Sequence, residues 1–195
     1  MRSSGRCLLA SVVVGVTLAG SAAAGYGEAL PERAPGDLVQ LGFQLVNLHS
    51  RKCLTVTADG LADDAILVQK ECRRDAAYRW RFVRAAGTGL YQVINVNSGK
   101  CLAIAADSGD DNGFATQYGC ADDPARQWRL RAPTGAGLLL SVVPVGDTLI
   151  ENGRSGKCLT IAGGVAAENA VAVQYGCDDE QSRRWSMRLV AGPAL

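Results

Sequence analysis

The sequence predicts an all-β domain built from three copies of one disulfide-stapled unit, and three observations predict it. Cys53 and Cys72, Cys101 and Cys120, and Cys158 and Cys177 are each 19 positions apart. Eight positions after each second cysteine stands a tryptophan, Trp80, Trp128 and Trp185, and the chain has only these three. Between these landmarks run short alternating apolar stretches, with no sustained i, i+3, i+4 pattern of the kind a helix requires. Self-similarity of this kind sets architecture before local preference does, because a unit so small buries a core only against its neighbours.

The N-terminus carries a basic stretch from Met1 to Arg6, an apolar run from Cys7 to Leu18 and the small residues Ala22-Ala23-Ala24. That order predicts a secretory signal over residues 1–24, cleaved after Ala24; the run is short for a membrane span of ~20 residues. Cys7 leaves with the signal, so seven cysteines become six, an even set suited to an oxidising, extracellular compartment. Six cysteines allow fifteen pairings, of which the repeat favours one bridge within each unit; each would close a 19-residue loop, contributing about 3 kcal/mol. Zinc is the competing use of cysteine, but an 18-residue gap is not ligand spacing and His49 is the only histidine. Residues 25–42, with Pro31 and Pro35 among mixed charges, read as a flexible lead-in.

Twenty basic residues face 19 acidic ones, a net charge of +1 with no basic stripe, which argues against nucleic acid and anionic membrane as partners. After removal of the signal no stretch is left to span a membrane.

Each unit opens on a shared motif: Asn47-x-x-Ser50-x-Lys52-Cys53-Leu54, Asn95-x-x-Ser98-x-Lys100-Cys101-Leu102 and Asn152-x-x-Ser155-x-Lys157-Cys158-Leu159. Flanked by alternating apolar runs, it predicts strand, tight turn and strand, a hairpin whose Asn and Ser bond nearby backbone. Polar turns follow at Asp63-Asp64, Asp111-Asn112 and Glu168-Asn169. Next come short strands running to the second cysteine, and finally a strand beginning at each tryptophan. Four strands per unit give about twelve, with the tryptophans in the core. Trp128 to Cys158 is longer than Trp80 to Cys101, so an enlarged surface loop falls around Pro133–Gly137.

The threefold Lys-Cys-Leu-x-(Val/Ile), the Gln-(Tyr)-x-Cys segments and the tryptophan eight residues later resemble the ricin-B-type β-trefoil lectins, also called the QxW family or carbohydrate-binding module family 13. The resemblance spans residues 43–190, with repeats at about 43–85, 90–131 and 146–190. It implies a β-trefoil: a closed six-stranded barrel capped by a hairpin triangle, with pseudo-threefold symmetry. Closure also removes exposed strand edges.

For function the resemblance implies a non-catalytic, lectin-like module that binds a glycan or polysaccharide without a cofactor. Family members that bind galactose-like sugars place an aspartate two positions after the first cysteine; here those positions hold Thr55, Ala103 and Thr160. The stacking aromatic two before the second cysteine is matched by Tyr118 and Tyr175, whereas the first unit has Lys70. The family's Asn-Gln pair is replaced by Ala77-Tyr78, Ala125-Arg126 and Ser182-Arg183, with Gln127 one place late. Loss of a hydrogen bond to a charged group costs about 1.5–3 kcal/mol, roughly ten- to hundredfold in affinity. A substitute carboxylate would come from Asp107, Asp110 or Glu168. Gln117 and Gln174, beside the tyrosines, either orient sugar hydroxyls or satisfy loop backbone.

Arg126, Arg183 and Arg184 read as solvated faces, with contact to an anionic glycan as the alternative. Asp110-Asp111-Asn112 reads as a turn, since it lacks the calcium-loop spacing. No second histidine, Gly-x-Ser-x-Gly or metal cluster supplies a catalytic pair. The alternative function is a protein-interaction or inhibitor trefoil that has lost sugar binding, with its protein partner on the enlarged loop or on Gly163-Gly164.

Overall fold

The computed structural model describes residues 40–131 and 147–192. The expected signal, residues 25–39 of the expected lead-in and the expected loop at Pro133–Gly137 lie outside the described residues. Twelve strands and six three-residue 3₁₀ turns make up the described chain, an all-β domain. Strand β1 (Gln40–Asn47) starts three residues ahead of the expected boundary at 43.

Six strands close a barrel. β1 pairs β12 (Arg184–Gly192) over eight residues and touches β4 (Trp80–Arg84). β4 pairs β5 (Tyr91–Asn95), which meets β8 (Trp128–Arg131). β8 pairs β9 (Asp147–Asn152), and β9 returns to β12. The other six strands are three antiparallel pairs of four residues each: β2 (Cys53–Val56) with β3 (Leu67–Lys70), β6 (Cys101–Ile104) with β7 (Ala115–Tyr118), and β10 (Cys158–Ile161) with β11 (Ala172–Tyr175). Single bridges Ile66–Thr116, Val68–Val171 and Phe114–Val173 join these pairs into a triangular cap. The architecture is a β-trefoil.

One sequence expectation is redistributed. The Asn-x-x-Ser turn was expected to close a hairpin, yet β1 and β2 share only the Val46–Cys53 pair. The long ladder lies instead between β2 and β3, because β1 belongs to the barrel while β2 departs to the cap.

The core repeats by threes. Its fifteen buried residues sort into five sets of equivalents: Leu45, Val93 and Ile150; Leu54, Leu102 and Leu159; Val56, Ile104 and Ile161; Leu67, Ala115 and Ala172; and the three tryptophans. Each indole is fully buried and donates to the carbonyl of its unit's Cys-Leu leucine, at 2.9–3.1 Å. A buried indole N–H without a partner would cost about 1–3 kcal/mol, so the Trp and Leu positions specify one another. The bridges Cys53–Cys72, Cys101–Cys120 and Cys158–Cys177 each lie within one unit.

The units are stitched in one cyclic sense by the remaining motif residues. Asn47 Nδ2 donates to Ser182 O, Asn95 Nδ2 to Ala77 O and Asn152 Nδ2 to Ala125 O, at 2.8–2.9 Å. The Oδ1 of each accepts the turn N–H groups that the sequence assigned to it. Lys52 pairs with Glu168, Lys100 with Asp63 and Lys157 with Asp111. Asp64, Asn112 and Asn169, the residues after those acids, adopt φ of 61°, 63° and 62°, a left-handed conformation that Asn and Asp tolerate best after glycine.

Candidate functional site

The second unit carries a cleft of about 500 Å³. β6 contributes Ala103 and Ile104, β7 contributes Thr116 and Tyr118, and the first unit supplies Asp64 and Ile66. Asp107 enters from the turn Ala105–Asp107, where Ala106 and Asp107 have φ of 53° and 51°. Arg126 enters from the turn Pro124–Arg126. That turn is well defined: Pro124 occupies its first position and the Asp123 carboxylate accepts from Ala125 N at 2.8 Å. The Ala125 N–H, helped by Arg154 and Arg126, outweighs burial and holds the Asp123 carboxyl below its ordinary range.

Arg126 lays its guanidinium over the Tyr118 ring, 4.4 Å from the centroid, while Nη1 donates to Gly119 O at 2.9 Å. The stack holds the phenol by cation–π attraction and places a cation beside it. Thr116 Oγ1 is buried without a hydrogen-bond partner, and its equivalents are Val68 and Val173. The second unit has therefore kept a polar atom in its cleft wall where the other units have methyl groups.

The third unit repeats the plan on a smaller scale, about 280 Å³, with Arg183 5.0 Å from the Tyr175 centroid. Arg183 is also tied to Asp178 and Glu180. In the first unit, Lys70 and Tyr78 hold these positions, so aromatic and cation have exchanged places.

Several expected site residues sit elsewhere. Gln117 and Gln174 are fully buried. Gln117 Nε2 donates to Gly60 O and Ala62 O while its Oε1 accepts from Ser98. Gln174 does the same with Ser108 O, Asp110 O and Ser155. Both amides are thus engaged with loop backbone and a turn serine in this structure. Glu168 is absent from the Tyr175 cleft; it pairs with Lys52 at 3.1 Å and accepts from Glu71 N. Burial pulls the Glu168 carboxyl up, but Lys52 and the Glu71 N–H pull it further down, below the ordinary range. Asp107 does join Tyr118 in one cleft.

Thr55 and Thr160, at the family's aspartate position, donate to Ala77 O and Ser182 O at 3.0 Å. The arginines are not solvated faces: Arg126 and Arg183 stack on tyrosines, and Arg184 pairs with Asp147. The recurrence of Arg126 and Arg183 eight positions after Tyr118 and Tyr175 was the available signal. Among the described residues no cluster of His, Cys, Asp and Glu could hold a metal, and no helix is long and apolar enough to cross a membrane.

No curated protein matches the chain. Among solved structures, ThreeFoil, a designed threefold-symmetric protein, is similar with TM-score 0.67 and 26% identity over 74% of this chain and 96% of its own. An exo-beta-1,3-galactanase from Clostridium thermocellum is similar with TM-score 0.67 and 22% identity over 77% of this chain, which spans 30% of the enzyme. The C-half of an earthworm R-type lectin, in complex with GalNAc, is similar with TM-score 0.56 and 10% identity over 77% of this chain and 99% of that one. A family model described as ricin-type beta-trefoil lectin domain-like matches residues 76–147. Together with the closed barrel and its triangular cap, these matches show a β-trefoil fold, within which residues 76–147 match the ricin-type lectin-like family model.

Proposed function

We propose that this chain is a secreted, non-catalytic carbohydrate-binding module of the QxW type, and that the Tyr118 cleft is its principal sugar site. One observation carries the reading: Tyr118, Asp107 and Arg126 converge on a single cleft. A phenol ring supplies an apolar face for a sugar's C–H patch, and a carboxylate and guanidinium supply charge-assisted hydrogen bonds to hydroxyls. Asp107 takes over the accepting role that Ala103 cannot perform. The smaller Tyr175 cleft acts as a second site, and two weak sites on one rigid body gain roughly 10²–10⁴ in avidity on a polysaccharide. The three disulfides support an extracellular location.

The test is a glycan array and insoluble-polysaccharide retention, comparing the wild type with Tyr118→Ala and Tyr175→Ala. The reading predicts that Tyr118→Ala loses most retention and Tyr175→Ala loses less, with melting temperatures unchanged within a few degrees. Absence of retention on every glycan at millimolar concentration rejects it.

The inward-turned hydroxyls of Thr55 and Thr160 favour a second reading, a trefoil whose sugar positions have become scaffold and whose ligand is a protein. Capture of an extracellular partner that survives enzymatic deglycosylation would select it over the first.

A further inference from the structure

A cleft of about 420 Å³ lies away from the tyrosines, where β12 and β1 meet the segment following Cys72. Arg73, Arg74 and Arg188 line it, with Gln44 at its base. Buried Gln44 organises the group: its Oε1 accepts from Arg188 Nε and Nη2 at 2.9 and 2.6 Å, and its Nε2 donates to Arg73 O at 2.6 Å. Arg73 Nε contacts Asp75 at 3.0 Å. Arg74 makes no ion pair among the described residues and is exposed. Three arginines thus line one cleft, and no carboxylate is among the residues that line it.

The pseudo-threefold repeat supplies an internal comparison. The positions of Arg73 and Arg74 hold Ala121 and Asp122 in the second unit and Asp178 and Asp179 in the third. Arg188 lies opposite Gln44; the corresponding barrel pairs are Val83 with Gln92 and Arg131 with Leu149. Arg131 is itself committed to Glu151. The scaffold therefore does not demand arginine at any of these places, and only one of three corners has gathered them.

We propose that this corner is an anion-binding site that takes sulfate or carboxylate groups of an acidic polysaccharide, independently of the tyrosine clefts. A guanidinium presents a planar fork matched to an oxyanion; Gln44 fixes the Arg188 fork and anchors the Arg73 backbone before any ligand arrives. A polysaccharide fits better than nucleic acid or membrane because the positive charge is confined to one cleft. Across the whole chain the net charge is only +1, too little to track a polyphosphate backbone or a bilayer surface.

The experiment measures affinity of the full chain for heparin, for a carboxylated polysaccharide and for neutral dextran, at about 0.1 M salt, where the Debye length is about 10 Å. Arg74→Glu breaks no contact in the fold and is the primary variant; Arg188→Gln is the second, checked for folding by its melting temperature. Arg81→Glu, exposed on β4, changes charge equally elsewhere. Expected are a loss of about tenfold or more in affinity for at least one acidic polysaccharide with Arg74→Glu, a further loss with both variants combined, and less than twofold with Arg81→Glu. Retention on an acidic polysaccharide is expected to survive Tyr118→Ala, which separates failure here from failure of the tyrosine site. No binding to either acidic polymer overturns the proposal, as does equal loss with Arg81→Glu. A duplex DNA of matched charge, held as tightly and with the same Arg74 dependence, overturns the assignment to polysaccharide.

Discussion

The guanidinium of Arg126 rests on the ring of Tyr118, 4.4 Å from its centroid, and Arg183 makes the same approach to Tyr175. The pairing fixes the ring's tilt and removes some of the rotamer freedom that a bound sugar would otherwise have to freeze. Arg126→Ala is expected to weaken glycan affinity about tenfold or more, because it removes both the cation–π contact and a charge-assisted hydrogen bond to a hydroxyl. Titration calorimetry reads it. An unchanged affinity would show that the ring is held by the cleft wall alone.

Asn95 joins two units through a buried bond to Ala77 O while closing its own turn. Replacing it with alanine leaves that turn's N–H groups without their acceptor and removes a donor to the neighbouring unit. Asn95→Ala is expected to cost about 2–3 kcal/mol, seen as a lower urea midpoint with an unchanged slope.

Gly153 is held against backbone on two sides. A Cβ there would lie 2.9 Å from Pro124 O and 3.1 Å from Gln127 O, with Leu90 Cδ1 at 2.7 Å. Leu90 has some freedom to rotate, but the carbonyls belong to the chain that presents Arg126. Gly153→Ala is therefore expected to destabilise by about 2 kcal/mol and to weaken glycan retention in the same variant. Thermal unfolding and array binding measure the two effects.

Acid should loosen the inter-unit contacts. Lys100 holds the Asp63 carboxyl below its ordinary value of 3.8. Glu168 is likewise held below its ordinary value of 4.5. Groups depressed in the folded state contribute stability that is fully present above those values and is lost as pH falls through the folded ones. Lys52 is shifted the other way, raised above 10.5 by Glu71 and then Glu168, so its contribution is present below 10.5 and fades as pH rises beyond. The expected curve of melting temperature is flat from about pH 5 to 10, with a fall below pH 4 that Asp63→Asn and Glu168→Gln make shallower. A steep change near neutrality would contradict it.

The three units and their bridges were legible because each is written three times; the barrel and the cap came only through the family resemblance those repeats carry. A cysteine, a leucine or a tryptophan recurring at one offset distinguishes a shared role from accident. The same redundancy hid where motif side chains point. Asn47 and Ser50 read as turn formers, which they are, yet the amide of Asn47 also reaches Ser182, 135 positions away. Gln117 looked like a ligand residue because it adjoins Tyr118, but alternation along β7 sends neighbouring side chains to opposite faces. Tyr118 faces the cleft and Gln117 the interior. Glu168 is adjacent in sequence to the third unit's cleft, but its nearest cation belongs to the first unit. Proximity along the chain misled wherever the partner lay across a unit boundary.

Gln40 and Gly192 are paired neighbours at the two extremities of the barrel. The contacts from Asn47 to Ser182 and from Lys52 to Glu168 make the junction between first and third units equivalent to the two junctions that the peptide chain crosses. Energetically the trefoil is a ring rather than a line, with no unit at an end. A circular permutant that links those extremities and opens instead at the exposed Gly87–Gly89 turn would keep every inter-unit bond, so the fold tells the covalent chain very little about where to begin.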